Sequence, residues 1–169
     1  MQSIQTVSEN TIYVGASDRR LAKFENLFPI PRGVSYNAYV ILDEKTALLD
    51  TADASVGAQF LENVAAALDG RKLDYLIVDH MEPDHAAMIE AVLVRWPDLR
   101  LVVNAKTLPM LKMYFPTDSA AIDDALVVKE GDTLDLGKHK LTFVMAPMVH
   151  WPEVMMTFDT TTGTLFSAD

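Results

Sequence analysis

The six residues His80-Met81-Glu82-Pro83-Asp84-His85 constrain this chain more than any other stretch of its sequence. Four of the six can bind a metal ion, two through imidazole and two through carboxylate. They follow Leu73 to Val78, a short apolar run with the pattern of a buried strand. A helical pattern begins just after them, so the segment is predicted on a strand-to-helix loop. His80 and Glu82 are two residues apart and point to the same side of an extended segment. Pro83 holds Glu82 out of the helical conformation. Asp84 and His85 then fall at the start of the next helix, displaced toward a second position. That spacing suits two neighbouring cations better than one.

The rest of the chain reads as an α/β domain. Ile12 to Ala16 is predicted as a strand, and Tyr36 to Leu42 with Thr46 to Asp50 as a hairpin turned at Asp43-Glu44-Lys45. Asp53 or Ser55 can cap a helix in which Phe60, Val64 and Leu68 recur every four residues, with Gly70 as its stop. A helix is predicted over Ala86 to Trp96, its inner stripe made by Met88, Ile89, Val92, Leu93 and Trp96. A strand over Leu99 to Val103 and a short helix over Leu108 to Phe115 follow. Beyond these the chain turns β-rich, with strands at Ala125 to Val128, Thr133 to Leu136, Leu141 to Met145, Val154 to Phe158 and Thr164 to Ser167. Gly131-Asp132, Gly137-Lys138 and Thr162-Gly163 mark turns. Without strict βαβ alternation, a layered domain with largely antiparallel sheet fits better than a doubly wound one.

Half of the 169 residues are apolar, which suits one folded domain with a core of its own. The formal charge of −10, from 24 acids against 14 bases, argues against nucleic acid or an anionic membrane as partners. Part of that charge would be neutralised if carboxylates held cations. The absence of cysteine excludes disulfides, iron–sulfur clusters, zinc–thiolate sites and a cysteine nucleophile. Met1 to Tyr13 contains no apolar stretch of signal-peptide length, and no run reaches the roughly 18 apolar residues of a membrane span. The expected setting is the cytoplasm.

Two further ligands are expected downstream. His150 follows the strand Leu141 to Met145, in Ala146-Pro147-Met148-Val149-His150-Trp151-Pro152, and Asp169 ends the strand Thr164 to Ser167. A carboxylate at a strand end can bridge two cations and cancel their repulsion. Each piece alone has an ordinary explanation: a solvated acid–histidine pair, a core histidine bonded to a carbonyl, a terminal acid. Six nitrogen and oxygen donors at strand ends are hard to explain except as a metal site. Three of the four histidines belong to this set, and only His139 lies outside it, in an expected hairpin turn. Asp79 is expected either to support the ligands from behind or to be a strand-end partner, and not a ligand itself, and the nine methionines are expected as core filler.

The segment resembles the metallo-β-lactamase superfamily pattern His-x-His-x-Asp-His, with Glu82 where the second histidine would stand. With that replacement it is similar to the flavo-diiron proteins, also known as A-type flavoproteins or rubredoxin:oxygen oxidoreductases. Their pattern is His-x-Glu-x-Asp-His, then a histidine, then an aspartate nineteen positions on, the separation of His150 and Asp169. Phe24 to Asp50, Ala146 to Pro152 and Leu165 to Asp169 carry further likeness. A carboxylate in place of a neutral imidazole adds a hard anionic donor, which suits iron better than a zinc hydrolase site.

The resemblance implies the N-terminal portion of a metallo-β-lactamase-like αββα sandwich holding two iron ions. His80, Glu82 and His150 would hold one iron, Asp84 and His85 the other, and Asp169 would bridge them. In some members the histidine matching His85 does not bind metal. The implied reaction is reduction of O2 to water, of NO to N2O, or both, with electrons from FMN. The family carries that FMN on a flavodoxin-like domain, in a head-to-tail homodimer fed by rubredoxin or another donor. Neither that domain nor the family's last histidine ligand occurs in these 169 residues. The expectation is therefore an incomplete domain, residues 1–169, whose sheet would have a wet inner face until a C-terminal segment or complementing chain covered it. Trp151 and Met148 are candidates to line the pocket. The alternatives are a zinc-dependent hydrolase of the same superfamily and a non-catalytic oxygen-binding di-iron module.

Overall fold

The computed structural model describes residues 3–24, 26–116 and 119–169. Its elements, in chain order, begin with short strands: β1 (Gln5–Ser8), β2 (Thr11–Tyr13), β3 (Ala16–Asp18), β4 (Lys23–Phe24), β5 (Phe28–Pro29) and β6 (Val34–Tyr36). Next come the hairpin β7 (Tyr39–Leu42) and β8 (Thr46–Leu49), then α1 (Gly57–Leu68), β9 (Tyr75–Ile77), α2 (Pro83–Ala86) and α3 (Ile89–Arg95). The middle closes with β10 (Arg100–Asn104), α4 (Thr107–Tyr114), α5 (Ser119–Asp123) and β11 (Leu126–Val128). Four strands follow, β12 (Thr133–Asp135), β13 (Lys140–Met145), β14 (Met155–Asp159) and β15 (Thr164–Phe166).

A seven-stranded sheet runs β1-β2-β7-β8-β9-β10-β11, and a four-stranded one β12-β13-β14-β15. The second sheet is antiparallel throughout. In the first, β8, β9, β10 and β11 pair in parallel, each joined to the next through one or two helices. The expected mixed domain is correct, but the crossovers form three consecutive βαβ units that the sequence reading did not resolve. Their strands are only three to five residues long. Each of these strands was expected, but which strands lie side by side, and in which direction, is a contact between distant segments that no local pattern records.

Both faces of the large sheet are buried, by alternate residues of the same strands. Val40, Leu48, Leu76, Leu101 and Val103 face the helices, where Phe60, Val64 and Leu68 of α1 and Ile89 and Val92 of α3 meet them. Ile41, Leu49, Ile77 and Val102 face the other way, onto Leu134, Leu141, Phe143, Met155 and Phe166 of the second sheet. The inner faces of the two sheets therefore cover each other, contrary to the expectation of a wet inner face. The alternation of β13 to β15 puts their other side chains outward. There Val144, Met156 and Phe158 are half-buried and Leu165 is exposed.

Several expected elements are divided. Tyr36 to Leu42 splits into β6 and β7, and Ile12 to Ala16 into β2 and β3, which join different sheets. At the second break a Cβ on Gly15 would stand 1.9 Å from the carbonyl oxygen of Tyr36, so only glycine lets the chain pass there. The helix predicted over Ala86 to Trp96 is two, α2 and α3. Thr51 causes the break: its amide and hydroxyl both donate to the carbonyl of His85, at 2.8 and 2.6 Å, and its hydroxyl accepts the Met88 amide at 3.3 Å. Asp53 caps the turn leading into α1 by accepting the Ser55 amide. At its end both Asp69 and Gly70 turn left-handed. The methionines are not all core. Met81 and Met155 are buried, whereas Met113 and Met148 are exposed.

Candidate metal centre

β9 delivers the His80–His85 segment to one edge of the interface between the two sheets. Glu82 is extended and serves as the N-cap of α2, with Pro83 as its first residue. Asp84 and His85 thus sit in a helix of only four residues, with the His85 ring 5.2 Å from that of His80. The loop between β13 and β14 brings His150, and the residues after β15 bring Asp169.

All six expected residues converge. Donor atoms of His80, Glu82, His150 and Asp169 lie within 4.8 Å of one another, and so do those of Asp84, His85 and Asp169. Asp169 belongs to both groups. His150 Nε2 is 2.8 Å from Glu82 Oε2 and 3.5 Å from Asp169 Oδ2, while His85 Nε2 is 2.8 Å from Asp169 Oδ1. The two groups therefore meet on opposite oxygens of one carboxylate. His80, Glu82 and His85 are buried, and the side chains of His150 and Asp169 stay about half exposed.

Three features of the donor set fit cations. His80 Nε2 faces His150 Nε2 at 3.2 Å and Glu82 Oε2 at 3.1 Å, a close approach of groups rich in lone pairs. Asp84 Oδ1 is buried without a hydrogen bond. Burial first, then the neighbouring charges of Asp169 and Glu82, raise the Asp84 carboxyl above its ordinary range, with His85 pulling the other way. Three carboxylates share this small space with imidazoles as their neighbours, and cations between them would turn mutual repulsion into coordination.

The residues that hold this arrangement were not expected from sequence. Asp50, just after β8, accepts from the amide of Asp79 at 2.8 Å through one oxygen and from His85 Nδ1 at 3.0 Å through the other. Its φ of +55° bends the chain at the strand end. Glu153 Oε1 lies 2.9 Å from His80 Nδ1, within hydrogen-bond distance. The sequence signals are faint: an acid ending the apolar strand Thr46 to Asp50, and an acid between Pro152 and the apolar β14. Asp79 is the expected strand-end partner, fully buried, and accepts the Thr157 hydroxyl at 2.8 Å. Burial, then Asp50, holds its carboxyl well above the usual range. His139 is buried in its hairpin turn against Asp159, 2.8 Å away, as a satisfied structural histidine. Trp151 stands edge-on to the His80 ring with centroids 5.4 Å apart, whereas Met148 points to solvent.

A helix-backed mixed sheet packed on an antiparallel one, with histidines and carboxylates gathered at the strand ends, defines a metallo-β-lactamase-like domain. The family model for the "ODP family beta lactamase" matches residues 34–169, and the chain belongs to that family. It is 36% identical over 165 residues to the anaerobic nitric oxide reductase flavorubredoxin of Klebsiella pneumoniae, covering 96% of this chain and 34% of that one. The fold superposes on the flavodiiron protein of Giardia intestinalis with a TM-score of 0.90 at 27% identity, over 99% of this chain and 40% of that one. For the rubredoxin oxygen:oxidoreductase of Desulfovibrio gigas the TM-score is 0.86 at 31% identity, over 93% and 38%. The chain spans about a third of the length of the curated relatives it matches. None of its described helices is long and apolar enough to cross a membrane.

Proposed function

We propose that residues 1–169 are the N-terminal part of the di-iron domain of a flavo-diiron oxidoreductase that reduces O2 to water, NO to N2O, or both. The observation that carries the reading is the sharing of Asp169 between two donor groups. His80, Glu82 and His150 would hold one iron, Asp84 and His85 the other, with Asp169 between them. A bound ferrous pair supplies the redox chemistry and the Lewis acidity for small gas molecules. FMN on a flavodoxin-like domain, of this protein or of a partner, would supply electrons, with rubredoxin or another carrier before it.

The chain's own residues orient, neutralise and shield. Glu82, Asp84 and Asp169 place three negative charges against the four positive charges of a ferrous pair, leaving a weakly cationic site that suits uncharged diatomic ligands. Asp50 fixes the His85 ring through Nδ1. Trp151 closes one side of His80, whose ring is fully buried. A cavity of about 270 Å³ bordered by Glu82, Pro83, Asp84, Tyr36, Leu21 and Phe24 opens onto the donors and gives a small molecule access.

The test is anaerobic loading with ferrous iron, followed by mixing with a reduced flavodoxin-like domain under O2 or NO. About two irons per chain and gas consumption that requires the added domain are expected. A chain that retained zinc instead and hydrolysed phosphodiesters or thioesters would overturn the reading.

A further inference from the structure

We infer that Glu153 is the positioning residue for His80, fixing the ring as its Nδ1–H tautomer and aiming the Nε2 lone pair at the metal position. The inference deepens the di-iron reading and rests on it for what Nε2 meets. The tautomer itself belongs to the chain alone.

Glu153 is 1% exposed, on the loop that also carries His150. Its Oε1 lies 3.0 Å from the Met81 amide and 2.9 Å from His80 Nδ1. A backbone amide can only donate, so Oε1 accepts there; a carboxylate has no proton of its own to give, so the imidazole nitrogen that shares Oε1 donates as well. The proton of neutral His80 is thereby placed on Nδ1. The lone pair is left on Nε2, the atom facing Glu82 and His150. The loop is held where this requires: the Asn104 side chain donates to the Glu153 carbonyl, and the Ala146 amide to Val154.

The other carboxylate oxygen shows that Glu153 does more than tie the loop down. Oε2 is buried and makes no hydrogen bond. The residue also lines a cavity of about 240 Å³ walled mainly by apolar atoms, with Met145, Pro147, Pro152 and Val154 around it. The nearby Lys106 ammonium is committed to the Pro152 carbonyl at 3.0 Å. Among the described residues the only ion-pair partner of Glu153 is His80. A fully buried carboxylate is tolerated only with a compensating positive charge. Here a cation on Nε2 would supply that charge through the imidazole, and the anion would make His80 a stronger donor to it.

The wild-type chain labelled with 15N on histidine tests the tautomer directly. Metal-free and after cobalt(II)-free loading with zinc(II), His80 is expected to keep a slowly exchanging proton on Nδ1; a bare Nδ1 with the proton on Nε2 overturns the inference. Titration with cobalt(II) and, without oxygen, with iron(II) tests the consequence. Glu153→Gln, which keeps an acceptor but removes the charge, should weaken binding about tenfold, and Glu153→Met, which removes both, about a hundredfold. The cobalt absorption bands should shift in Glu153→Gln, a change that a loop tie alone would not produce. Wild-type affinity and wild-type bands in both variants overturn the inference. If wild-type chain binds neither metal, the di-iron reading falls, while the His80 nitrogen shifts still decide the tautomer. They also decide it if Glu153→Met fails to fold.

Discussion

Nδ1 of His85 lies 3.0 Å from Oδ2 of Asp50, in a buried pair that joins the end of β8 to the short helix α2. Burial alone would lower the pKa of this ring. The hydrogen bond to Asp50 and the charges of Asp50 and Asp84, with the hydrogen bond to Asp169, outweigh it and raise the pKa to about 10.

The metal-free chain should therefore lose stability on the alkaline side. Folded, it keeps a proton on His85 that the unfolded chain releases near its ordinary pKa of ~6.5. The stabilisation is complete below that pH and disappears as pH rises through about 10. Thermal melts of metal-free protein from pH 6 to 10 should show a decline that His85→Gln flattens. An unchanged slope in that variant would assign the decline to other groups. A cation takes the place of this proton, so metal affinity should also rise with pH over the same range.

Asp169 touches both donor groups, and its loss should be felt at both. Asp169→Asn is expected to reduce iron content from about two per chain to less than one, whereas His150→Ala should spare the group formed by Asp84 and His85. Metal analysis of anaerobically prepared protein separates the outcomes. Equal losses in the two variants would argue against a shared carboxylate.

The interface between the sheets depends on Phe143, which is fully buried in β13 and packs within the cluster formed by Leu134, Leu141 and Met155 with the large sheet. Phe143→Ala should destabilise the chain by about 3–5 kcal/mol, read from urea denaturation. An outward neighbour provides the control: Val144→Ala on the opposite face should lose much less, because that side chain is only half-buried.

His139 and Asp159 tie the β12–β13 hairpin to the end of β14, and the His139 amide also reaches Asp43 of the β7–β8 turn at 2.6 Å. Burial works against the Asp159 charge, but hydrogen bonds from Thr162, His139 and Thr161 hold the carboxyl below its ordinary range. The stability it contributes is present above the ordinary carboxylate pKa and is lost as pH falls through the lower folded value. Asp159→Asn should lower Tm by roughly 5–10 °C at neutral pH and by less in acid. Its metal content should equal that of the wild-type chain.

Glu82 stands where the wider superfamily has histidine, and Glu82→His tests what that exchange does. The variant replaces a hard anionic oxygen with a neutral nitrogen 3.1 Å from His80 Nε2. Competition between iron(II) and zinc(II) should shift toward zinc by about tenfold or more. No shift would mean that geometry elsewhere sets the preference.

The ligand loop was legible because its information is local. His80 to His85 is contiguous, Pro83 dictates where the helix starts, and period-two spacing orients His80 with Glu82 whatever surrounds them. His150 and Asp169 could be found because each follows a recognisable strand. The Asp53 cap on the turn before α1 and the stop at Gly70 were readable for the same reason: neighbouring residues make the contacts.

Only the tertiary structure decided what depended on distant atoms. Thr51 breaks the helix expected over Ala86 to Trp96 by bonding to residues more than thirty positions away, and no pattern within that segment encodes the break. Asp50 and Glu153, which hold the rings of His85 and His80, are ordinary acids until the sheets bring them within 3.0 Å. The parallel order of β8 to β11 and the mutual cover of the two sheets arise in the same way. Residue type and spacing determine which side chains can bind and which way a short segment faces. Chain entropy and packing over the whole domain determine which of them meet.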